Sequence, residues 1–353
     1  MRWFFGEITN NKIPLEKRQY LPFIWQTLFL VVPVISTAFA SVGRMLKDLP
    51  QESIGWLLVD EAGQAKPQEA IGAIYRAKRV IPVGDPLQVE PIESLPLPLV
   101  ESIAKHLGVN TWRWMAPHAS VQTIADHANR FGATIQREDG EVRIGSPLVV
   151  HRRCDNPMFS ISNELAYAGM MVHATTAAHS PIVDILGPSR WIDIEGSAQE
   201  KWSPEEGQQV QSMVLNAMEN AEGMPDFYVI SPFTVVAQNA LRLLNTQASV
   251  FKARGVDNPY KWLEKRVGTI HTFQGKEADT VILLLGAPDK TQSGARNWAT
   301  SQANLLNVAV SRAKRNVYIV GNKSLWGDSG YMKIVKSHLD AYESEGTTLS
   351  HEL

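Results

Sequence analysis

The chain has 353 residues, 44% of them hydrophobic and 20% charged, and its 34 lysines and arginines against 36 aspartates and glutamates leave a formal charge of −2. That is enough apolar material for two domains with their own cores, and too balanced a charge for a general nucleic-acid or membrane-surface binder, so any such binding must come from a local groove. A single cysteine, Cys154, excludes an internal disulfide framework. The most apolar stretch, residues 21–35, is interrupted by Pro22, Gln26 and Pro33 and is too short to span a bilayer. The expectation is a cytoplasmic protein with no signal peptide and no membrane partner.

In chain order, residues 1–27 are aromatic-rich and irregular. Leu28–Val32 reads as a strand broken by Pro33, and Val34–Thr37 as a second short piece leading into a helix over 39–46. Trp56-Leu57-Leu58-Val59 is an apolar run of the kind that makes a buried parallel strand, and it ends in Asp60-Glu61. Pro67 is a good first-turn residue for a helix reaching about Lys78, and Val80–Val83 forms the next strand, turning at Gly84-Asp85-Pro86. Strand, helix, strand at this spacing is a βαβ unit with a parallel crossover.

Residues 91–150 are less regular, with a helix over 121–131 and a charged turn at 137–141. Residues 180–207 read as a surface connector, because Gly187-Pro188 and Ser203-Pro204 punctuate them. A second α/β pattern follows. Phe227–Ile230 is a strand with Ser231 as a helix cap, and Phe233, Val236, Ala237, Ala240, Leu241 and Leu244 lie on one helical face. Val267–Ile270, Thr280–Leu285 and Val317–Val320 are further strands, with a helix over 301–313 and a last one capped by Ser324.

The chemistry concentrates at five places. Two adjacent carboxylates, Asp60 and Glu61, repel each other unless a cation or a proton lies between them, and in open α/β sheets ligands sit at the carboxyl ends of strands, where these two fall. A metal held by one and a water polarised by the other is the usual solution. Gly84-Asp85-Pro86-Leu87-Gln88 ends the neighbouring strand, with Gln88 able to reach a phosphate or a water. Arg152-Arg153, Gln274-Gly275-Lys276-Glu277 and Ser311-Arg312-Ala313-Lys314-Arg315 complete the set. Each is weak alone, and their order and spacing together are specific. From Lys261 to Arg315 nine basic residues outnumber four acids, a surplus of five that is available to a phosphate-tracking surface. Trp112, Trp114, Trp262 and Trp298 sit in loop-like contexts where an aromatic ring can stack on a base.

Over residues 28–325 these motifs resemble superfamily 1 helicases, in the 5′-to-3′ branch of the nonsense-mediated-decay helicase. Asp60 to Ala65 looks like motif II, Gly84 to Gln88 motif III, His151 to Pro157 the arginine-bearing motif IV, Thr269 to Glu277 motif V, and Asn307 to Lys314 motif VI. The resemblance implies an α/β chain of two RecA-like P-loop NTPase lobes with mainly parallel sheets, the first incomplete. It places lobe one at 28–148, lobe two at 149–330, and a C-terminal helix and tail at 331–353. It implies ATP and Mg²⁺ as cofactors and single-stranded DNA or RNA as partner. By position Asp60 holds Mg²⁺ and Glu61 activates the water, while Gln88 senses the γ-phosphate. Arg153 and Arg312 are arginine fingers, Glu277 lies near the ribose, and Gly84, Asp85, Gln274 and Gly275 belong to the nucleotide-binding loops.

The departure is the phosphate cradle. A P-loop needs Gly-x-x-x-x-Gly-Lys-Ser/Thr, and the only Gly-Lys pair, Gly275-Lys276, is followed by Glu277. The expectation is therefore the C-terminal motor part of a larger helicase, inactive alone, with the missing N-terminal part as its partner. The alternative is a non-catalytic nucleic-acid- or protein-binding module on a helicase scaffold.

Overall fold

The computed structural model describes residues 15–88, 90–137, 140–176, 179–273 and 275–351. The chain forms two compact units: Met1–Pro86 with Glu90–Ala133 and Arg143–Ser146, and Pro147–Leu353 with Leu87–Val89 and Thr134–Val142. Among the described residues no helix is long and apolar enough to cross a membrane.

The first unit begins with a helix at Leu21–Val31. The strand expected at Leu28–Val32 is therefore its last turn. Leu21, Trp25 and Leu28 are the buried residues, at i, i+4 and i+7, so the period of this run is helical and Pro22 sits where a helix accepts proline. Residues 33–37 carry no strand. The βαβ unit is present as read. β1 (Leu57–Asp60) and β2 (Val80–Val83) pair in parallel, with Leu57 opposite Val80 and Asp60 opposite Val83, and the helix Pro67–Arg76 connects them. Val59 packs with Ala62, Ala65, Ala70 and Val121 on one face, against which Leu57 and Val80 also lie. The opposite face is bare: Leu58 is 66% exposed, Ile81 42% and Val83 45%. Parallel strands are ordinarily covered on both faces, so this exposed apolar face is unusual for the class.

β3 (Ala133–Arg137) and β4 (Gly140–Ile144) pair with each other, and β5 (Val150–His151) pairs in parallel with β6 (Val172–His173) around the helix Met158–Tyr167. The main sheet of the second unit contains β7 (Arg190–Asp193), β8 (Phe227–Ser231), β9 (Val267–Thr269), β10 (Ala278–Leu284) and β11 (Ala313–Gly321). Their order is β7-β11-β10-β8-β9, and every pair is parallel. The apolar run of β10 is buried on both faces, which is why it reads as continuous rather than alternating. Val281, Leu283, Val317 and Ile319 join one core with Met158, Ile161, Val214, Met218, Val236 and Leu244 from the surrounding helices. Each such side chain contributes about 1.5–3 kcal/mol by leaving water. The α/β fold with mainly parallel sheets, read as RecA-like, is borne out.

Several local readings are corrected. Residues 180–207 are not a surface connector, because they supply the helix Pro181–Leu186 and the edge strand β7, with Ile182 and Trp191 buried. Ser231 stays in its strand, and the helix starts at Thr234 with Phe233 as an uncapped boundary residue. The helix expected over 301–313 is present as Ala303–Ser311, and a further helix, Ser293–Thr300, precedes it. Asn322, rather than Ser324, caps the short helix Lys323–Trp326, and a long helix, Met332–His351, follows. Trp112, Trp114, Trp262 and Trp298 all lie on helices rather than loops.

Candidate functional site

In the first unit, Asp60 and Glu61 stand where β1 ends. The Glu61 N–H donates to Asp60 Oδ1 at 3.0 Å, and Gln64 Nε2 donates to Glu61 Oε2 at 2.8 Å, so both carboxylates are oriented by their own loop. Glu61 has φ 51, in the left-handed region that a residue with a Cβ enters only at a cost. The two strand-end loops touch backbone to backbone. A Cβ on Gly84 would lie 2.6 Å from Gly63 N and 2.7 Å from Ala62 N, and one on Gly63 would lie 2.4 Å from Asp85 O. Glycine is thus required at both positions. Ala62 and Ala65 carbonyls accept from Gln122 and Val121 N–H, tying the loop to the helix Val121–Ala128.

Gly84→Ala is expected to lower stability by about 1–3 kcal/mol through this clash. Amide hydrogen exchange at Ala62 and Gly63 should accelerate with it, and unchanged protection there would contradict the close approach.

No group of three metal-ligating side chains occurs among the described residues. Mg²⁺ is nonetheless compatible with Asp60, since that ion keeps several waters and needs only one or two carboxylates when phosphates complete its shell. The residues present do not supply the phosphate cradle itself.

The second unit gathers a cationic hollow of about 470 Å³ bordered by Gln88, Arg153, Glu277 and Lys314. Arg153 Nε lies 3.2 Å from Glu277 Oε2, with both side chains nearly half exposed. Lys314 Nζ is 3.3 Å from Asp279 Oδ1 and 3.9 Å from Glu277 Oε1. Arg315 pairs with Asp155 at 2.6 Å, and the Asp155 N–H donates to the Lys314 carbonyl, which stitches the arginine loop to β11. His151 Nε2 accepts from the Cys154 N–H at 2.8 Å, and burial followed by the Arg153 charge holds its pKa below the usual value. Cys154 is fully buried and its thiol is pushed up to about 12 by burial, so it is a core residue rather than a nucleophile.

Arg312 is 1% exposed, and its guanidinium is held from several sides. Nε donates to the Val308 carbonyl at 3.2 Å, Nη1 to the Lys276 carbonyl at 3.0 Å, and Nη2 to Gln88 Oε1 at 3.4 Å. Asn307, also buried, donates to the Leu87 carbonyl at 3.4 Å and accepts from Ser162 Oγ at 2.5 Å. Sequence reading therefore finds residues that do meet: Gln88 with Arg312, and Arg153 with Glu277. Gly275 has φ 75, which only glycine adopts freely, and Gln274 lies outside the described residues.

The basic surplus between Lys261 and Arg315 is divided: Lys261, Lys265, Lys276 and Lys290 are exposed, and others are drawn into the fold. Arg312, Lys314 and Arg315 are engaged as above. Arg296, 4% exposed, donates Nη1 to the Ala287 and Asp289 carbonyls at 2.8 and 2.6 Å.

A second hollow, of about 740 Å³, was missed by sequence reading. It is lined by Glu200, Lys201, Phe233, Thr234, Ala295 and Trp298, among others. Lys201 Nζ sits 5.1 Å from the centre of the Phe233 ring, and the Phe233 and Trp298 rings are 6.0 Å apart, with Trp298 47% exposed. The helix Thr234–Asn245 opens here without a side-chain cap, so its first N–H groups carry its positive dipole end. The adjoining loop is fixed from several directions. Gly286 N–H donates to Glu206 Oε2 at 2.8 Å, Trp326 Nε1 donates to the Gly286 carbonyl at 2.9 Å, and Ala287 N–H donates to the Lys201 carbonyl at 2.7 Å. Glu206 is fully buried, and burial pushes its carboxyl up to about 8. The sequence signal for this loop is Ser203-Pro204-Glu205-Glu206, the capped start of the helix Pro204–Asn220.

Residues 139–324 match the AAA domain family (AAA_12). The chain is 23% identical over 305 residues to the DNA replication ATP-dependent helicase/nuclease DNA2 of Gallus gallus, covering 84% of this chain and 26% of that protein. It is 21% identical over 356 residues to the DNA-binding protein SMUBP-2 of Rattus norvegicus, covering 99% of this chain and 33% of that protein. It is 22% identical over 277 residues to the DNA replication ATP-dependent helicase/nuclease JHS1 of Arabidopsis thaliana, covering 75% and 19%. The chain thus spans between 19% and 33% of the length of these curated relatives. Among solved structures, an arterivirus nonstructural protein 10 (helicase) in complex with DNA aligns over 77% of this chain and 41% of its own, at 14% identity and a TM-score of 0.35.

Proposed function

Since the chain belongs to the AAA domain family (AAA_12), a helicase-family domain, we propose that it is the C-terminal motor part of a superfamily 1 helicase that couples ATP hydrolysis to movement along single-stranded nucleic acid. The observation that carries this reading is the meeting of Gln88, Arg153, Glu277 and Lys314 around one hollow, with buried Arg312 bonded to Gln88. The four residues around the hollow come from four distant stretches of sequence, and cations of this kind stabilise charge on a phosphoryl group.

In this proposal Asp60 holds Mg²⁺, which neutralises phosphate charge when bound. Glu61 takes a proton from the attacking water, its carboxylate aimed by Gln64. Arg153 is the mobile countercharge, because its guanidinium is half exposed and its partner Glu277 is too. Buried Arg312 holds Gln88 in place and is the fixed one. The P-loop comes from additional polypeptide, and the bare face carrying Leu58, Ile81 and Val83 supports that requirement. Without it the chain hydrolyses ATP little or not at all.

The strand is proposed to cross the hollow beside Trp298. Lys201 and the open helix end at Thr234 suit a phosphate, and the exposed indole suits a base. Trp298→Ala is expected to weaken binding of a single-stranded oligonucleotide by about 5- to 150-fold, the range for one lost stacking contact. Fluorescence anisotropy at several salt concentrations measures it. Log affinity should fall linearly with log salt, and Lys201→Gln should flatten that slope by about 0.7. An oligonucleotide that fails to bind even at low salt would remove the proposal. The second reading, a non-catalytic binding module, is favoured by the missing P-loop. It predicts the same strand binding, with no ATP turnover even after a P-loop segment is joined.

A further inference from the structure

We propose that the first unit carries a separate base-stacking platform for single-stranded nucleic acid, built on Trp112. The inference rests on the strand-binding reading above and adds a site distant in sequence from every helicase-like motif.

Trp112 is 73% exposed, an unusual position for an indole unless something covers it in use. It is also held flat. The His118 imidazole stacks on it with centroids 3.8 Å apart and planes 23° from parallel. Asn110 Oδ1 accepts from the Arg113 N–H at 3.1 Å and fixes the turn on which Trp112 and Trp114 sit. A ring backed on one face by another ring loses little freedom when a third stacks on its open face. That preorganisation separates a stacking platform from a merely exposed side chain.

The segment that carries Trp112 is cationic. Arg113 lies over Trp114, 5.2 Å from the ring centre, and Arg130 over Phe131 at 5.5 Å, with Trp114 47% and Phe131 73% exposed. From Lys105 to Phe131 the permanent cations are Lys105, Arg113 and Arg130, all exposed, and the sole acid is Asp126. Asp126 is 3% exposed and turned inward, where Oδ1 accepts from Gly145 N–H and from Gln122 Nε2, both at 2.9 Å. Within this segment the exposed side chains thus include aromatic rings and cations, and its one carboxylate is turned inward. Phosphates with attached bases complement that pattern. An apolar protein surface would satisfy the rings and leave the guanidinium groups unmatched.

The test uses the full chain and a fluorescein-labelled single-stranded oligonucleotide of mixed sequence, with Trp112→Ala, Trp112→Phe and Trp298→Ala side by side. Trp112→Ala should weaken binding by about 5- to 150-fold. Trp112→Phe, which keeps a π-face, should recover most of the affinity. An unchanged affinity in Trp112→Ala, with Trp298→Ala weakened, overturns the platform and leaves the proposed function standing. Equal losses in Trp112→Phe and Trp112→Ala overturn it too, since they point to packing rather than stacking. A wild-type chain that binds no strand at all overturns both proposals together.

Discussion

Joined to a segment that supplies a P-loop, the chain carrying Glu61→Gln is expected to turn over ATP about 10²- to 10⁴-fold more slowly, with nucleotide affinity retained. Glutamine preserves the length of the side chain and leaves Asp60 untouched, but it cannot take a proton. The carboxylate is positioned by two local devices, the Gln64 amide on Oε2 and the left-handed backbone of Glu61 itself. Gln64→Ala should therefore lower turnover less than Glu61→Gln does, because it loosens the base without removing it. Single-turnover hydrolysis separates the two from any change in binding. Near-normal turnover in Glu61→Gln would take the base role away from this residue.

Glu206 makes the second large prediction, and it concerns stability against pH. Its carboxyl is pushed from 4.5 to about 8 by burial, against the Gly286 N–H that favours the charged form. The folded state therefore holds a proton that the unfolded state releases above about pH 4.5. Between that pH and 8 the folded protein binds more protons, so stability is highest at the acid end and falls as pH rises. Over the whole window the loss is on the order of 3–5 kcal/mol. Glu206→Gln keeps an acceptor for Gly286 N–H and abolishes the titration, so its stability should stay nearly flat over the same range. Urea unfolding at pH 5, 6, 7 and 8 measures the difference between the two proteins. Parallel pH curves would mean that Glu206 titrates normally despite its burial. The consequence reaches the proposed strand site, because Glu206 and Trp326 hold the loop at Gly286 and Ala287, whose φ values are 67 and 50. A Cβ on Gly286 would fall 2.5 Å from the Lys201 carbonyl, so this loop has no slack to absorb a lost partner.

The sequence alone determined what depends on short-range pattern. β1, β2, β8, β10 and β11 are apolar runs whose length and punctuation admit little else, and Asp60, Glu61 and Gly84 follow them at fixed offsets. The order of the helicase-like motifs was legible for the same reason, since each is a contiguous string of residues. The sequence misled where two periods fit one run. Residues 21–32 are apolar almost throughout, and only the packing of Leu21, Trp25 and Leu28 against a common core selected a helix over a strand. The edge strand β7 is not legible locally because its four residues pair with β11, 128 positions away.

Tertiary structure alone decided how charge is used. Nothing local in the sequence distinguishes Arg312 and Arg296, each closed in on backbone carbonyls, from Arg153, which keeps half its surface. Burial of a guanidinium depends on which carbonyls the fold leaves unpaired nearby, and those come from remote loops. The same holds for the hollow between Lys201, Phe233 and Trp298. Its walls come from three separate segments, and only the packing of the second unit brings them to one rim.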